Sequence, residues 1–264
     1  MKVLVNGATG KMGREVLKAV HNDTELTLVG GVHPSHGGKD VSEFIGTSPL
    51  NCKIYSQLEE GIEAVQPDVI VDFTTPAIIF DNAKLILSKG IHVVIGTTGL
   101  TEAQRNELDA IGRAHGANCL VAPNFSLGAV MMMKTAAELA PYFPDVEIIE
   151  LHHNHKYDAP SGTAVLTAKL INEAKQAANV KAAEDLTRES LPGARGAKVD
   201  DVTIHSVRLP GYVAHQEVIF GGYDETLVIR HDSLSRLSFM PGVVLACKKI
   251  KDFAGLTYGL EHYL

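Results

Sequence analysis

The chain has 264 residues, with 45% hydrophobic and 21% charged side chains; this is the mixture of a globular protein, with length enough for two modest domains that each bury a core. A formal net charge of −7 with no basic cluster argues against a nucleic-acid surface, so any anion site must be built locally. Cys52, Cys119 and Cys247 are scattered and odd in number with no CxxC, which points away from a disulfide framework or zinc clip and toward a reducing compartment.

Lys2 to Val5 reads as a first strand, and it reaches Asn6 and Gly7 before it could become the apolar core of a signal peptide. The run Gly128 to Met133 falls far short of the ~20 apolar residues that span a bilayer. The expectation is a cytoplasmic protein without a membrane span.

After that strand, a glycine loop opens a helix over about Met12 to His21, and Leu26 to Gly31, Val69 to Phe73 and His92 to Ile95 read as further strands. Ile79, Ala83 and Ile86 recur at helical spacing, and Gly90 supplies the stop. Thr101 with Gln104 makes a capping box for the next helix, and Cys119 to Ala122 is another strand. Strands alternating with helices predict a doubly wound parallel sheet, a Rossmann-like α/β domain over residues 1–125, completed by a C-terminal segment at about 236–264.

The rhythm changes after a helix over Leu127 to Leu139. Val146 to Leu151, Thr203 to Arg208, Ala214 to Phe220 and Glu225 to Asp232 read as strands, the last two joined through Gly221-Gly222. With one more helix from about Gly162 to Asn179, they predict an α+β domain with a mixed or antiparallel sheet over residues 126–235. Ala182 to Asp200 lacks apolar periodicity and reads as a long loop. Pro241 stands where a helix can begin, and Gly242 to Phe253 is expected to pack back on the first domain.

Gly7-Ala8-Thr9-Gly10-Lys11-Met12-Gly13 follows a strand and opens a helix, the context in which backbone N–H groups approach a dinucleotide pyrophosphate. The competing reading is a turn whose glycines serve packing only. Lys11 is either a phosphate contact or a solvated loop residue. The end of the second strand, Gly30 to Lys39, carries no acid to accept hydrogen bonds from the adenosine ribose, so strict NAD use is not supported. His33, His36 and Lys39, with Lys11, either meet a 2′-phosphate or stand in water; the first alternative leans toward NADPH or use of both cofactors. Asp72-Phe73-Thr74-Thr75-Pro76, Gly96-Thr97-Thr98-Gly99 and Ala122-Pro123-Asn124-Phe125 end successive strands, where ligands of open α/β sheets bind. Singly each is an ordinary turn composition.

The densest chemistry runs from Glu147 to Ala164, where a strand feeds His152, His153, His155 and Lys156, then Ser161, Gly162 and Thr163 at a helix start. Histidine exchanges protons near neutrality, while lysine and orphan helix N–H groups favour anions. The set suits a carboxylate-bearing substrate that must be protonated. The histidines are too crowded for usual zinc spacing. Glu147 and Glu150 fall on opposite faces of a strand, which suits structural roles better than an acid–base pair. No tyrosine lies four residues before a lysine, as short-chain dehydrogenases require, and a non-catalytic dinucleotide sensor has no use for His152, His153 and Lys156.

Across essentially its whole length the sequence resembles the dihydrodipicolinate reductase family, the 4-hydroxy-tetrahydrodipicolinate reductases. The resemblance rests on Val5 to Gly13, Gly96 to Gly99, Ala122 to Ser126, Glu147 to Ala164, Leu191 to Gly196 and Ala214 to Val218. It implies NADPH- or NADH-dependent reduction of a small cyclic dicarboxylate in the lysine and diaminopimelate route. By the same resemblance His152 is the proton donor, Lys156 the second catalytic group, His153 a substrate contact, and Ser161, Gly162 and Thr163 the carboxylate site. Gly7, Ala8, Thr9, Gly10, Lys11 and Met12, with Gly96, Thr97, Thr98, Ala122, Pro123, Asn124 and Phe125, would hold the cofactor. A homotetramer formed through the second domain's sheet is also implied.

Overall fold

A computed structural model describes residues 1–264, which divide into two units, Met1–Ser126 with Arg236–Leu264, and Leu127–Ser235. The first unit is a seven-stranded parallel sheet made of β1 (Lys2–Asn6), β2 (Thr27–Val32), β3 (Ile54–Tyr55), β4 (Val69–Asp72), β5 (His92–Ile95), β6 (Cys119–Val121) and β12 (Leu256–Tyr258). Its helices are α1 (Lys11–Asn22), α2 (Ser42–Ile45), α3 (Leu58–Val65), α4 (Ile79–Ser88), α5 (Glu102–His115) and α8 (Met240–Lys249). Val3, Leu4 and Val5 are buried on both faces, as a central parallel strand requires, and α1 turns Val16, Leu17 and Val20 inward. Each such side chain contributes roughly 1.5–3 kcal/mol on leaving water.

The strand order is β12-β6-β5-β4-β1-β2-β3. The chain therefore runs outward from β1 in one direction and returns to β4 to run in the other, which makes the carboxyl ends of β1 and β4 the switch point where ligands of this architecture bind. Thr101 and Gln104 form the capping box expected for α5, and Gly90 adopts a φ of +73° after α4. Pro241 stands in the first turn of α8, which packs on α1. Three elements were not read from the sequence between Lys39 and Asp68: α2, β3 and α3. The edge strand β12 was not read either; it pairs in parallel with β6.

The second unit is a five-stranded mixed sheet of order β11-β10-β7-β9-β8. Its strands are β7 (Asp145–His152), β8 (Ala197–Val199), β9 (Val202–Arg208), β10 (Ala214–Gly222) and β11 (Glu225–Ser233), with helices α6 (Leu127–Leu139) and α7 (Gly162–Ala177). Only β7 and β9 run parallel, across the crossover through α7. Val146, Ile148, Val202, Ile204, Val218 and Phe220 are buried together on one face. Two sequence expectations are corrected here. Gly221 and Gly222 pair with Thr226 and Glu225 inside the hairpin, and the turn is Tyr223-Asp224, with Asp224 at φ +58°. The expected loop Ala182 to Asp200 ends in an edge strand, because Ala197 to Val199 pairs with Val202 to Ile204.

Candidate active site

In the first unit the glycine loop crosses from β1 into α1. Gly7 takes a φ of +77°, and a Cβ there would lie 2.3 Å from the Phe73 carbonyl oxygen; at Gly13 it would lie 2.1 Å from the Gly7 oxygen. These two glycines are required by close approach of backbone to backbone. The N–H groups of Gly7 and Ala8 donate to the Val32 carbonyl, which ties the loop to the end of β2. Gly10 caps α1 without any side-chain acceptor for the helix's first N–H groups, which suits a pyrophosphate. Lys11 is exposed beside them and Met12 is half-buried.

The next strand ends are wired through Asp72, which is wholly buried. It accepts from Asn6 Nδ2 at 2.8 Å, the Thr74 hydroxyl at 2.6 Å, Asn82 Nδ2 at 3.1 Å and the Thr97 hydroxyl at 3.2 Å. Burial pushes this carboxyl above the usual range, against the pull of its donors Thr74, Asn6 and Asn82. The Thr97 side chain is thus engaged within the protein, and the Gly96 N–H is likewise donated to the Asp72 carbonyl at 2.9 Å. Thr97 to Leu100, Val121, Ala122 and Pro123 line a small pocket closed by Tyr258 of β12, whose ring lies 4.5 Å under the Arg105 guanidinium. Sequence reasoning gave no role to Tyr258. Beyond Pro123, the Asn124 side-chain oxygen accepts the Ser126 N–H at 2.8 Å, and Phe125 is buried with its ring 5.8 Å from that of Phe73.

At the end of β2 the structure gathers His33 and His36. The Thr9 hydroxyl stands 2.9 Å from His36 Nδ1, and the two histidine Nδ1 atoms are 3.2 Å apart. Arg14 lies over the Phe44 ring with Lys39 near the same ring. Burial lowers the His33 pKa, and the positive charge of His36 and Arg14 lowers it further. Lys39 pairs with Glu43 at 3.3 Å, and between Gly30 and Lys39 the loop carries no carboxylate to serve as a ribose acceptor.

In the second unit, β7 carries Glu150 and His152 two residues apart on the same face. Glu150 is wholly buried, and His152 Nδ1 stands 2.5 Å from its Oε2. Arg208, beside His152 in the parallel register of β9, donates through Nη1 and Nη2 to the two carboxylate oxygens at 2.7 Å each. The Ser161 N–H donates to Oε1 at 3.1 Å. Burial by itself pushes the Glu150 carboxyl up, but hydrogen bonds from His152, Arg208 and Ser206 and the charge of His152 outweigh it and bring the pKa to about 2.

The turn after β7 carries His153, Lys156 and Asp158. Lys156 Nζ donates to Asp158 Oδ1 at 2.7 Å, and that bond, with one from the Gly162 N–H, holds the Asp158 carboxyl below the usual range against the cost of burial. Ser161 is the N-cap of α7, its hydroxyl accepting the Ala164 N–H at 3.2 Å. Of the three helix-start residues read from sequence, Ser161 has its N–H committed to Glu150 and Gly162 has its own on Asp158, while Thr163 is half-buried. His153 and His155 stand side by side, ring centroids 6.4 Å apart, on the outer part of the turn. Glu147, on the opposite face, pairs with Arg195 and His205 and takes no part in this cluster. Arg208 is the residue that sequence reading missed; its signal was a charged residue closing a strand in a face that otherwise buries Val202 and Ile204.

Two family models divide the chain between them: the dihydrodipicolinate reductase N-terminus over residues 1–125 and the C-terminus over residues 128–264. A 4-hydroxy-tetrahydrodipicolinate reductase of Listeria monocytogenes is 47% identical over all of both chains. One from Syntrophomonas wolfei is 48% identical, covering 100% of this chain and 98% of that protein. Among solved structures, the dipicolinate-bound dihydrodipicolinate reductase from Paenisporosarcina sp. superposes with a TM-score of 0.88 at 42% identity, over 100% of this chain and 99% of the other.

Proposed function

The chain belongs to the dihydrodipicolinate reductase family, and from that membership we infer that it reduces 4-hydroxy-tetrahydrodipicolinate to tetrahydrodipicolinate with a nicotinamide cofactor, a step of L-lysine biosynthesis through diaminopimelate. One hydride and one proton enter the ring, and one water leaves. The observation that carries the reading on the protein side is the meeting of His152, Lys156 and the start of α7 at one end of the five-stranded sheet.

Residues Gly7, Ala8, Thr9, Gly10, Lys11 and Met12 hold the pyrophosphate, and Gly96, Thr97, Thr98, Ala122, Pro123, Asn124 and Phe125 hold the nicotinamide end. The uncapped start of α1 and the backbone approach at Gly7 and Gly13 fit such a group. When bound, the nicotinamide supplies the hydride. His152 gives the proton to the electron-rich ring, and Lys156 exchanges Asp158 for the substrate to balance its charge. His153 contacts the substrate. As the substrate displaces Asp158, the N–H groups of Gly162 and Thr163 take a carboxylate at the positive end of α7, with Ser161 fixing that helix start.

The end of β2, where His33, His36, Lys39 and Arg14 gather and no acid stands from Gly30 to Lys39, supports use of both cofactors with a slight lean to NADPH. The Leu127–Ser235 unit binds substrate and builds a homotetramer through the sheet face bearing Val228, 50% exposed, with Ile149 and Leu151 half-buried beside it. A cytoplasmic setting follows from a small-molecule biosynthetic role; no helix is long and apolar enough to cross a membrane.

The test is oxidation of NADPH and NADH with substrate generated in the cuvette from pyruvate and aspartate semialdehyde by its synthase. Substrate-dependent loss of nicotinamide absorbance is expected with both. A protein that binds dinucleotide yet consumes neither would defeat the assignment.

A further inference from the structure

We infer that Glu150 and Arg208 are positioning residues that lock His152 into a single tautomer, with the proton always on Nδ1 and the exchangeable one on Nε2. The inference rests on His152 being the proton donor of the proposed reaction, and it adds what makes that residue competent. Neither Glu150 nor Arg208 is assigned a contact with substrate.

Geometry carries the case. Glu150 is wholly buried, so its carboxylate must find partners within the protein. It has them on every side: two prongs of Arg208, the Ser161 N–H, the Ser206 hydroxyl and the His152 ring. Arg208 does not deprotonate in proteins, and its two-pronged contact fixes the carboxylate plane. A carboxylate kept ionised in this way only accepts hydrogen bonds. The histidine nitrogen 2.5 Å from it must therefore carry a hydrogen in both the charged and the neutral ring.

The consequence is directional. The imidazolium loses its proton from Nε2 alone, and the neutral ring it leaves needs no flip before it is recharged. With only 14% of the side chain exposed and Nδ1 anchored, the ring has little freedom to present the wrong nitrogen. The same guanidinium reaches one residue further: Arg208 Nη2 donates to the Asp158 carbonyl at 2.9 Å, within the turn that carries Lys156. One cation thus fixes the acid's carboxylate partner and the backbone beside the second catalytic group. A purely structural ion pair would ask nothing of the histidine tautomer.

Nitrogen-15 spectra of the full chain labelled at histidine, with the His152 signal identified from its loss in His152→Gln, read the tautomer directly. The neutral ring is expected to be protonated at Nδ1 in the wild type and to gain the Nε2-protonated form in Glu150→Gln. Alongside this, kcat should fall roughly 10²-fold while KM and dinucleotide affinity hold. A wild-type ring protonated at Nε2 overturns the inference, and so does a Glu150→Gln protein with unchanged tautomer and unchanged kcat. Should Glu150→Gln fail to fold, Arg208→Lys, which keeps the cation but removes the fork, is expected to release the second tautomer; a ring still single at Nδ1 with full kcat would again overturn it. A protein without reductase turnover whose ring is nonetheless held at Nδ1 would sink the proposed reaction and leave the lock standing.

Discussion

The strand-end loops of the nucleotide-binding unit and the histidine turn of the second unit are fixed by different physics. Around Gly7 and Gly13, shape comes from the absence of side chains: a single added methyl would collide with a carbonyl 2.3 or 2.1 Å away. Around Glu150, shape comes from charge, with five donor groups closing on one buried carboxylate. On the proposed reading, the first kind of site recognises a phosphate through backbone dipoles that cannot titrate. On the same reading, the second handles protons and must hold groups that can. Steric sites should therefore fail by losing ligand, and charged sites by losing turnover.

The sharpest way to break this contrast is His152→Gln. It should lower kcat by roughly 10²- to 10⁴-fold, the usual worth of a general acid, with dinucleotide affinity unchanged by titration. If cofactor binding falls in step with kcat, the division of labour is wrong.

Acid should find the charged site next. The Glu150 carboxyl lies at about 2 in the folded protein against 4.5 for the ordinary group, so its stabilisation is complete above the unfolded value and is lost as pH falls from about 4.5 toward about 2. The shift corresponds to on the order of 3 kcal/mol. Denaturant unfolding across that interval should be steep in the wild type and flatter in Glu150→Gln; equal slopes would mean that the carboxylate is not the group lost.

Gly13→Ala should cost about 1–3 kcal/mol of stability by overpacking the loop against the Gly7 carbonyl. It should weaken dinucleotide binding while leaving kcat at saturating cofactor close to the wild type. Chemical denaturation and cofactor titration check the two parts separately. The smallest effect is expected at the ribose loop, where His33→Ala and His36→Ala should lower the ratio of NADPH to NADH efficiency a few-fold, since each half-buried ring offers a 2′-phosphate one hydrogen bond beside solvent. An unchanged ratio would return these histidines to the role of solvated loop residues.

The parts legible in the sequence were those with local signals. Long alternating segments, the Thr101–Gln104 box and the Gly90 stop identify the doubly wound unit because each depends on neighbours in the chain. The interval holding α2, β3 and α3 escaped because β3 is only Ile54–Tyr55 and α2 only Ser42–Ile45, too short for periodicity to accumulate. The Gly221-Gly222 pair misled because glycine also fits a twisted strand end, while Asp224 took the left-handed position that glycine was expected to fill. At the site, His152 and Lys156 stood out because one segment concentrates them. Glu150 was seen but judged structural, and Arg208 was missed, because what joins them to His152 is the parallel pairing of β7 with β9, which is not written in any local pattern.

The last strand of the nucleotide-binding sheet and the helix packed on α1 come from residues 236–264, after the whole of the other unit has been spelled out. On a ribosome, the seven-stranded sheet therefore stays one edge short until β12 has emerged, whereas the inserted unit is contiguous and can close while synthesis continues. The order of emergence and the order of completion are opposite in this protein. Nascent chains stalled before residue 236 would be expected to protect the five-stranded sheet from protease sooner than the seven-stranded one, and to gain nucleotide-binding capacity only once residues 236–264 have emerged.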